Sequence, residues 1–326
     1  EAKKWMRDTP FKNRDGGVLQ IMTPTFTELD SLSEFETEDV AEIRNKNEIG
    51  ESGGNTQHMR QGLAKTTFLM EVPALCGGSY NYMLMTAQIG KEIPMDAKAP
   101  PVIKLKHLKN GDKIKGATDK FTYAMNNCWH AYNGTPLIND GTKGPEYPRD
   151  GEDNLKGDTD LNSVFIRQLR SKSGPSGMAI ELIVSQSEGV LPSLTEFHYI
   201  KSQDRFGLEG NNIHYNLILC PEVKLQRTTV RGKIDAHPEL QRALNITAEL
   251  CQMHQLWHHL EEGLLCTPKE LYDDLKAKGY DWNVLLATRG WWALDNDHPV
   301  PFLSTMDLLR MRVGKYHPYW MAPLNK

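Results

Sequence analysis

The chain has 326 residues, of which 39% are apolar and 25% charged, and its formal net charge is −4. This length is enough for one large domain or two ordinary ones, and the balance of apolar and charged residues is that of a globular protein. No run of about 18 apolar residues occurs, so the sequence predicts no membrane-spanning helix. Because the net charge is negative, any nucleic-acid surface must be local.

The cysteines are few and widely spaced. There are five, none of them in a CxxC pair: Cys76, Cys128, Cys220, Cys251 and Cys266. An odd number with this spacing is typical of reduced thiols rather than of a disulfide framework, which predicts a cytoplasmic protein. No signal peptide is recognisable and the first residue is not a methionine, so we expect a fragment or a processed product.

Strand and helix signals alternate along the first 90 or so residues. Residues 18–22 and 25–29 carry β-branched and apolar side chains and are predicted strands. Several glycines within residues 48–55 predict a flexible loop. The apolar spacing over residues 58–75 predicts a helix, and a short buried strand is expected at 82–86.

The middle of the chain is predicted to be mainly β. Residues 91–120 have little periodicity and contain two adjacent prolines, which favours a loop. Strands are then predicted at 121–125, 128–132, 164–169, 178–185 and 197–200. A Ser-Gly-Pro-Ser-Gly turn joins the third and fourth of these strands, which predicts a hairpin.

Helical signals dominate from about residue 204 onward. Residues 238–260 carry apolar side chains at helical spacing. Thr267 followed by Pro268 predicts the N-cap and first turn of another helix, which Gly279 ends. The sequence therefore predicts an α/β fold in two segments, with a core sheet flanked by helices over residues 1–203 and a mainly helical module over residues 204–326.

An acidic residue and a serine, Asp30 and Ser31, follow the predicted strand at 25–29. In nucleotide hydrolases with a phosphate-binding loop, the acid at this point of the sheet holds Mg²⁺ directly or through water. An aspartate after a strand is also a common turn residue, so it carries little information by itself. We consider Asp30 a candidate catalytic residue and Mg²⁺ ligand, and Asp30 with Ser31 a candidate nucleotide contact.

A neutral amide, Gln88, follows the strand predicted at 82–86. An amide at this place can hydrogen-bond a γ-phosphate or its attacking water, and can pass the loss of that bond to the loop beyond. The alternative is an ordinary polar residue at the end of a strand. Gln88 is therefore a second candidate catalytic residue.

A lysine-rich segment extends from residue 98 to residue 120, with seven lysines, two aspartates and a net charge of +5. Such a cluster is typical of salt-dependent binding to phosphates that does not depend on sequence, although a solvated loop is the alternative. The candidate DNA-binding residues come from this segment and from the glycine-rich loop at 48–55. They are Gly53, Gly54, Asn55, Lys98, Lys104, Lys106, Lys109, Lys113 and Lys115.

A pair of cations, Arg170 and Lys172, precedes the turn of the predicted hairpin. Alternate residues of a strand share a face, so both side chains are predicted to point the same way. Two cations on one face suit a phosphate or a carboxylate of a neighbouring subunit, which makes them candidate catalytic residues in trans. The alternative is an exposed hairpin that carries charges for solubility.

A group of cysteine and histidine side chains raises the question of a zinc site. Cys251, His254, His258 and His259 lie on or near the helix predicted at 238–260, with Cys266 beyond it. No second pair of ligands with a recognised zinc spacing accompanies them. Such residues on a helix are more often part of a core or a surface, so this alternative stays open.

The order of these parts, from Asp30 to about Tyr199, resembles the RecA family of recombinases, especially the divergent members carried by large phages. Asp30 and Ser31 resemble the family's Walker B acid and the serine that follows it. Gln88 takes the place of the glutamine in the family's switch, with an alanine before it. Residues 48–55 and 91–115 are similar in position to the two DNA-binding loops of the family.

The hairpin adds a further point of resemblance. The sequence Leu-Arg-Ser-Lys at 169–172 resembles the family's Lys-x-Lys hairpin, whose cations reach the nucleotide of a neighbouring subunit. The resemblance implies a RecA-like core of the P-loop NTPase type, with ATP and Mg²⁺ as cofactors. It also implies single-stranded DNA as a partner, self-association into a filament or a ring, and location in the host cytoplasm for a phage-encoded protein.

One part of the family's pattern is missing from the sequence. No Gly-x-x-x-x-Gly-Lys-Ser/Thr occurs; residues 62–66 lack the first glycine, and they follow Asp30 instead of preceding it. Backbone N–H groups of that loop cradle the β-phosphate, so we expect this chain by itself to bind ATP poorly.

The function predicted from the sequence is the carboxy-terminal portion of a RecA-like, ATP-dependent recombinase that binds single-stranded DNA as a filament. It would act as a DNA-dependent ATPase in DNA recombination and repair only when the missing half is supplied. One alternative is a hexameric helicase motor, which uses the same core in a closed ring. Another is a non-catalytic structural or DNA-binding protein that has lost the phosphate loop.

Overall fold

The computed structural model is a mixed α/β protein. It describes residues 6–36, 38, 41–42, 45, 57–91, 105–117, 119–150, 153, 155–211, 213–257, 259–291 and 300–322. The chain divides into two compact units, which are described separately below. The first comprises residues 1–131 with 166–179, and the second residues 132–165 with 180–326.

The first unit begins with an antiparallel hairpin of β1 (Met6–Lys12) and β2 (Val18–Met22). The turn between them is closed by Asn13, whose Oδ1 accepts the backbone N–H groups of Asp15 and Gly17 at 3.0 and 2.7 Å. Gly16 within this turn has φ +83°, a conformation that glycine adopts without strain. The strand predicted at 18–22 is confirmed.

A parallel pair of strands forms the centre of the first unit. β3 (Thr25–Leu29) and β4 (Asn81–Met85) are connected through helix α1 (Gln57–Ser79), which a parallel connection requires. The predicted helix at 58–75 is confirmed but is longer. It continues through the Gly-Gly-Ser sequence at residues 77–79 and ends two residues before β4.

The two faces of this strand pair differ. Leu29 and Met85 pack with the buried Leu32 and Leu69. The opposite face carries Phe26, which is 67% exposed, together with the exposed Tyr82 and Leu84. No third strand pairs with β3 or β4 in the described part of the chain. These exposed side chains leave one face of the sheet open, whereas parallel sheets are normally covered on both faces.

The lysine-rich segment of residues 98–120, called the basic segment below, contains β6 (Asp112–Ile114), which pairs antiparallel with β5 (Ile89–Lys91). Helix α2 (Asp119–Ala124) follows. The strand predicted at 121–125 is therefore wrong. Helical geometry lets the buried Phe121 reach the cluster around Leu32, and the N–H of Met125 bonds to the Phe121 carbonyl at 3.0 Å.

Four strands form one sheet in the order β10-β9-β8-β7. Their bounds are Asn127–Pro136 for β7, Leu161–Ser171 for β8, Ala179–Ser185 for β9 and Gly189–Val190 for β10. The strands predicted at 128–132, 164–169 and 178–185 are confirmed, and the first two extend further than predicted. β8 and β9 are neighbours in the sheet, as the hairpin prediction required.

The second unit contains α3 (Pro192–Ser202) and an antiparallel sheet in the order β11-β12-β13. These strands are Leu208–Gly210, His214–Leu217 and Cys220–Gln226. The strand predicted at 197–200 is wrong. Leu194, Phe197 and Ile200 are all buried at helical spacing in α3 and pack in the core of this unit. The segment boundary predicted at 203/204 falls within the second unit.

The remaining helices complete the core of the second unit. They are α4 (Val230–Ala236), α5 (Pro238–Leu256), α6 (Pro268–Ala277), α7 (Trp282–Leu286) and α8 (Thr305–Arg312). Thr267 and Glu270 form a capping box at the start of α6, which confirms the predicted start. α5 ends at Leu256, before the predicted residue 260. None of the helices in the described part of the chain is both long enough and apolar enough to span a membrane.

Candidate functional site

The carboxyl ends of β3 and β4 place the predicted site residue Asp30 beside Thr86. Leu29 lies opposite Met85 in the parallel register, so Asp30 and Thr86 leave the two strands side by side. The Thr86 hydroxyl donates to Asp30 Oδ1 at 2.7 Å. The backbone N–H of Leu32 then bonds to the Thr86 carbonyl at 2.8 Å. Asp30 is exposed, and its second carboxylate oxygen has no partner among the described residues.

Gln88 lies two residues beyond Thr86 and contacts two parts of the unit. Its backbone N–H donates to the Ser33 hydroxyl at 3.1 Å. Its side-chain oxygen accepts a hydrogen bond from Lys115 Nζ at 2.9 Å, and its carbonyl accepts the Lys115 N–H at 2.9 Å. The structure therefore places Asp30 and Gln88 in the segments that follow the carboxyl ends of the strand pair, and it bonds Lys115 to Gln88.

The sequence reasoning missed Thr86 and Ser33. It named Ser31 as the hydroxyl near the nucleotide, but the hydroxyl that meets Gln88 belongs to Ser33. Ser31 is half-buried, and its carbonyl accepts the N–H of Glu34 at 3.1 Å. A signal for both missed residues is present in the sequence, since Thr86 is the last residue of the strand predicted at 82–86 and Ser33 is a hydroxyl residue shortly after the strand predicted at 25–29.

The described part of the basic segment presents exposed lysines. Lys106, Lys109 and Lys113 are exposed, and none of them forms an ion pair with another described residue. Lys91, by contrast, pairs with the buried Asp112. Gly53, Gly54, Asn55, Lys98 and Lys104 lie outside the described residues, so the glycine-rich loop and two of the six candidate lysines have no structural account.

The electrostatic effect of the basic surface is visible at His130 on β7. Partial burial lowers the pKa of this imidazole, and the nearby charges of Arg167 and Lys109 lower it further, against an opposing effect of Asp112. A cation is therefore disfavoured at this place. Burial, the largest cause, disfavours a charge of either sign, and only the smaller effects of Arg167 and Lys109 come from positive charge.

The hairpin cations do not behave as a matched exposed pair. Arg170 lies on β8 and is half-buried. Lys172 follows the strand, and its Nζ donates to the Ala124 carbonyl at the end of α2 at 2.8 Å. The backbone N–H of Lys172 also bonds to the Asn126 carbonyl at 3.0 Å. Lys172 is thus engaged within the first unit and contacts neither Asp30 nor Gln88.

The donor set at the strand ends suits only part of a Mg²⁺-nucleotide. A carboxylate oxygen, a hydroxyl and an amide match the oxygen-rich surroundings that Mg²⁺ takes when it is bound mainly by phosphates and water. The sequence contains no phosphate-binding loop to cradle the other phosphates. No group of three or more histidine, cysteine or acidic residues that could hold a metal occurs among the described residues.

Two members of the cysteine and histidine group, His254 on α5 and Cys266 beyond it, contact each other. His254 Nε2 lies 3.0 Å from the Cys266 carbonyl oxygen. Cys251 and Cys266 are buried, and burial raises the pKa of the Cys266 thiol to about 11. His258 lies outside the described residues. Burial also raises the pKa of the Cys251 thiol, so both buried thiols favour the protonated form.

Cavities occur among the described residues of the second unit. One, of about 310 Å³, is lined by Arg149, Asp160 and Arg231 among others. The larger, of about 680 Å³, is lined by Tyr272 and Trp282 together with apolar and acidic residues. The sequence gave no indication of either, because each is built from segments far apart in the chain.

Comparison with known proteins adds no family. The chain matches no known protein-family model. No curated protein matches the sequence either.

Proposed function

We propose that the first unit is the carboxy-terminal portion of a RecA-like, ATP-dependent recombinase core that binds single-stranded DNA. The observation that carries this proposal is that Asp30 and Gln88 follow the carboxyl ends of two adjacent parallel strands joined by a helix, where Thr86 bonds Asp30 and Lys115 bonds Gln88. In α/β sheets, ligands bind at the carboxyl ends of parallel strands. An acid on one strand and a neutral amide on the next are the two groups that a γ-phosphate site needs there.

The proposed roles follow from the chemistry of each group. Asp30 serves Mg²⁺, and Thr86 holds one oxygen of that carboxylate so that the other oxygen faces the ligand. Gln88 contacts the γ-phosphate or its attacking water through its amide. When bound, the Mg²⁺-nucleotide supplies the phosphoryl group and the charge that these side chains recognise. The cradle for the other phosphates would come from residues outside this sequence.

The open sheet face supports the same proposal. Phe26, Tyr82 and Leu84 are exposed on one face of β3 and β4, and the outer edges of this strand pair have no partner in the described residues. A two-stranded sheet is marginal by itself, and parallel sheets are covered by helices on both faces. A further strand and helix that complete the sheet are what a RecA-like core would add here.

The DNA-binding role is proposed for the basic segment. Lys106, Lys109 and Lys113 are exposed and unpaired with described acids. Phosphate contacts by such side chains give affinity that falls steeply with salt. Residues 48–55, which lie outside the described part, complete this proposal as the first DNA loop.

A role in trans is proposed for the hairpin. Arg170 and Lys172 would reach the nucleotide of a neighbouring subunit in a filament or, in the helicase alternative, a ring. The contact of Lys172 with the Ala124 carbonyl means that this cation must leave its partner before it can serve a neighbour. The cost of that exchange is small, on the order of 1 kcal/mol, because Lys172 is exposed.

A second candidate function is a non-catalytic DNA-binding protein. The observation that favours it is the absence of a phosphate-binding loop from the 326 residues. It uses the same basic segment and makes no use of Asp30 or Gln88. The location that either function implies is the cytoplasm, in the host cell if the protein is phage-encoded.

The two candidates are separated by nucleotide hydrolysis. The chain as given is expected to hydrolyse no ATP above background. The coding frame extended upstream to include a phosphate-binding loop is expected to yield a DNA-stimulated ATPase, and Asp30→Ala in that protein should abolish turnover. Hydrolysis by the 326 residues alone would show that the nucleotide site is misplaced. An extended protein with no ATPase, or with one indifferent to Asp30→Ala, would leave DNA binding as the function.

DNA binding has its own test, a salt titration of oligo(dT) affinity by fluorescence anisotropy. Replacing Lys106, Lys109 and Lys113 by alanine should reduce the slope of log affinity against log salt by about 2, since each phosphate contact contributes roughly 0.7 for single strands. The matched control is a triple alanine variant of the exposed lysines of the second unit, Lys224, Lys233 and Lys278. Equal slopes for both variants would remove the basic segment from the DNA site.

A further inference from the structure

Lys115 is the one lysine of the candidate DNA set with a described contact to a candidate nucleotide residue. It follows β6, and its backbone N–H bonds to the Gln88 carbonyl while its Nζ donates to the Gln88 side-chain oxygen, both at 2.9 Å. The two residues are thus joined at main chain and side chain. The ammonium holds the amide oxygen, which leaves the amide N–H groups of Gln88 turned to other partners.

A glycine allows this arrangement. A Cβ at Gly90 would lie 2.9 Å from Lys115 Cε and 3.0 Å from its Cγ. The aliphatic stem of Lys115 therefore lies directly across the Gly90 backbone on its way to Gln88. Any larger residue at position 90 would force the stem to move.

A second glycine fixes the chain after Lys115. Gly116 has φ +78°, and a Cβ there would lie 2.2 Å from the Leu32 carbonyl oxygen. The turn after Lys115 is therefore pressed against the loop that follows Asp30. Lys115 is held in position between the two strand ends by its backbone, so its side chain has a short path between Gln88 and any anion bound there.

The bond from Lys115 to Gln88 is easily exchanged. Both side chains are exposed, and Lys115 has no acidic partner among the described residues. The bond from Lys115 to Gln88 joins a cation to a neutral amide, whereas a phosphate oxygen offers the same ammonium an acceptor of opposite charge. An anion near the site therefore competes successfully for the ammonium.

We propose that Lys115 is a positioning residue for Gln88, which it holds by the amide oxygen until a phosphate takes the ammonium and frees the amide. The ligand class is a phosphate anion at the strand ends. That this phosphate belongs to a nucleotide rests on the proposed function, whereas the exchange between Gln88 and phosphate does not. The same residue belongs to the basic segment, so occupancy of that segment and the orientation of Gln88 are linked through one side chain.

The test uses the full 326-residue chain labelled with ¹⁵N-glutamine, and inorganic pyrophosphate as the probe. The Gln88 side-chain amide signal, assigned from a Gln88→Ala spectrum, should shift on titration of the wild type. In Lys115→Met, which keeps the stem and removes the charge, the signal should start near its pyrophosphate-saturated position and move little. Pyrophosphate affinity should fall about three- to fivefold, as for loss of an exposed ion pair.

Lys12→Met is the control for a lost positive charge, since Lys12 is an exposed lysine of the first unit that lies outside the candidate DNA set. It should leave the Gln88 signal in its wild-type position in the free protein. Lys115→Arg should restore the response to pyrophosphate. Gly90→Ala keeps the charge but displaces the stem, and should shift the Gln88 signal of the free protein in the same direction as Lys115→Met.

Two results would overturn the assignment. One is an unchanged Gln88 signal in free Lys115→Met, and the other is an equal response of Lys12→Met and Lys115→Met to pyrophosphate. Failure of the proposed function is seen elsewhere, in the ATPase of the extended protein and its dependence on Asp30. A pyrophosphate response that depends on Lys115, in a protein whose extended form has no ATPase activity, would support the exchange between Gln88 and phosphate and would refute the proposal that the phosphate belongs to a nucleotide.

Discussion

Glu196 carries a partly buried carboxyl group whose ionisation should weaken the fold at neutral pH. It lies on α3, where Asn245 Nδ2 of α5 donates to its Oε1 at 3.0 Å. Burial raises the pKa of Glu196 to about 7; the bond from Asn245 and the charge of Arg242 act against this rise, and the like charge of Glu249 adds to it. Arg242 is only 6% exposed and donates to Asn245 Oδ1.

The direction of the effect follows from proton binding in the two states. Between pH 4.5, the ordinary value for this carboxyl, and about pH 7, folded Glu196 keeps a proton that the unfolded chain releases. Stability is therefore highest below pH 4.5 with respect to this group, falls as pH rises to about 7, and is level above it. The difference in pKa corresponds to about 3 kcal/mol, an upper value because the group retains some contact with water.

Glu196→Gln removes the ionisation and keeps an oxygen that can accept the bond from Asn245. The free energy of unfolding of this variant should exceed that of the wild type by up to about 3 kcal/mol at pH 8, and by nearly nothing at pH 4.5. The measurement is urea unfolding at several pH values, followed by tryptophan fluorescence.

The control for a change in net charge is Glu262→Gln, which removes an exposed carboxylate in the same unit. It should leave the pH dependence of the wild type in place. A Glu196→Gln protein whose advantage over the wild type is the same at pH 4.5 and pH 8 would refute the argument, because a gain in packing alone does not depend on pH.

Two further substitutions test the second unit. Asp160→Asn should reduce the free energy of unfolding at pH 7 by about 2 kcal/mol. Burial raises the pKa of this carboxylate, but the hydrogen bonds it accepts from two serines and an arginine outweigh burial and lower the pKa. The loss of stability should shrink as pH falls below about 4 in the same urea series, and a loss that does not depend on pH would contradict the role of the charge. Gly207→Ala should cost about 2 to 5 kcal/mol, since φ is +73° and a Cβ would lie 2.6 Å from Cγ2 of the fully buried Thr247. The control is Gly263→Ala, where φ is +78° and no atom lies within 4 Å of the added Cβ. This variant should lose only about 1 to 2 kcal/mol of unfolding free energy, measured by thermal unfolding. Equal losses for the two variants would contradict the steric contact at Gly207.

The sequence by itself determined the elements with strong local signals. The capping pattern at Thr267, the long apolar periodicity of α5 and the β-branched runs of β2 and β3 predicted their elements correctly, because each depends on contacts within a few residues. It failed for the short apolar runs at Phe121 and Phe197. Runs of four or five apolar residues suit a strand or a buried helix equally, and tertiary packing decided for the helix in both.

The candidate site divides in the same way. Asp30 and Gln88 were recognisable from the sequence, since polar residues that follow strands are positioned by the strands themselves. Only the tertiary structure decided that Thr86 bonds Asp30, that Lys115 crosses Gly90 to reach Gln88, and that Lys172 is engaged by a helix carbonyl. These contacts join residues 27 to 56 positions apart, and their partners are fixed by strand register and by loop packing that no local pattern encodes.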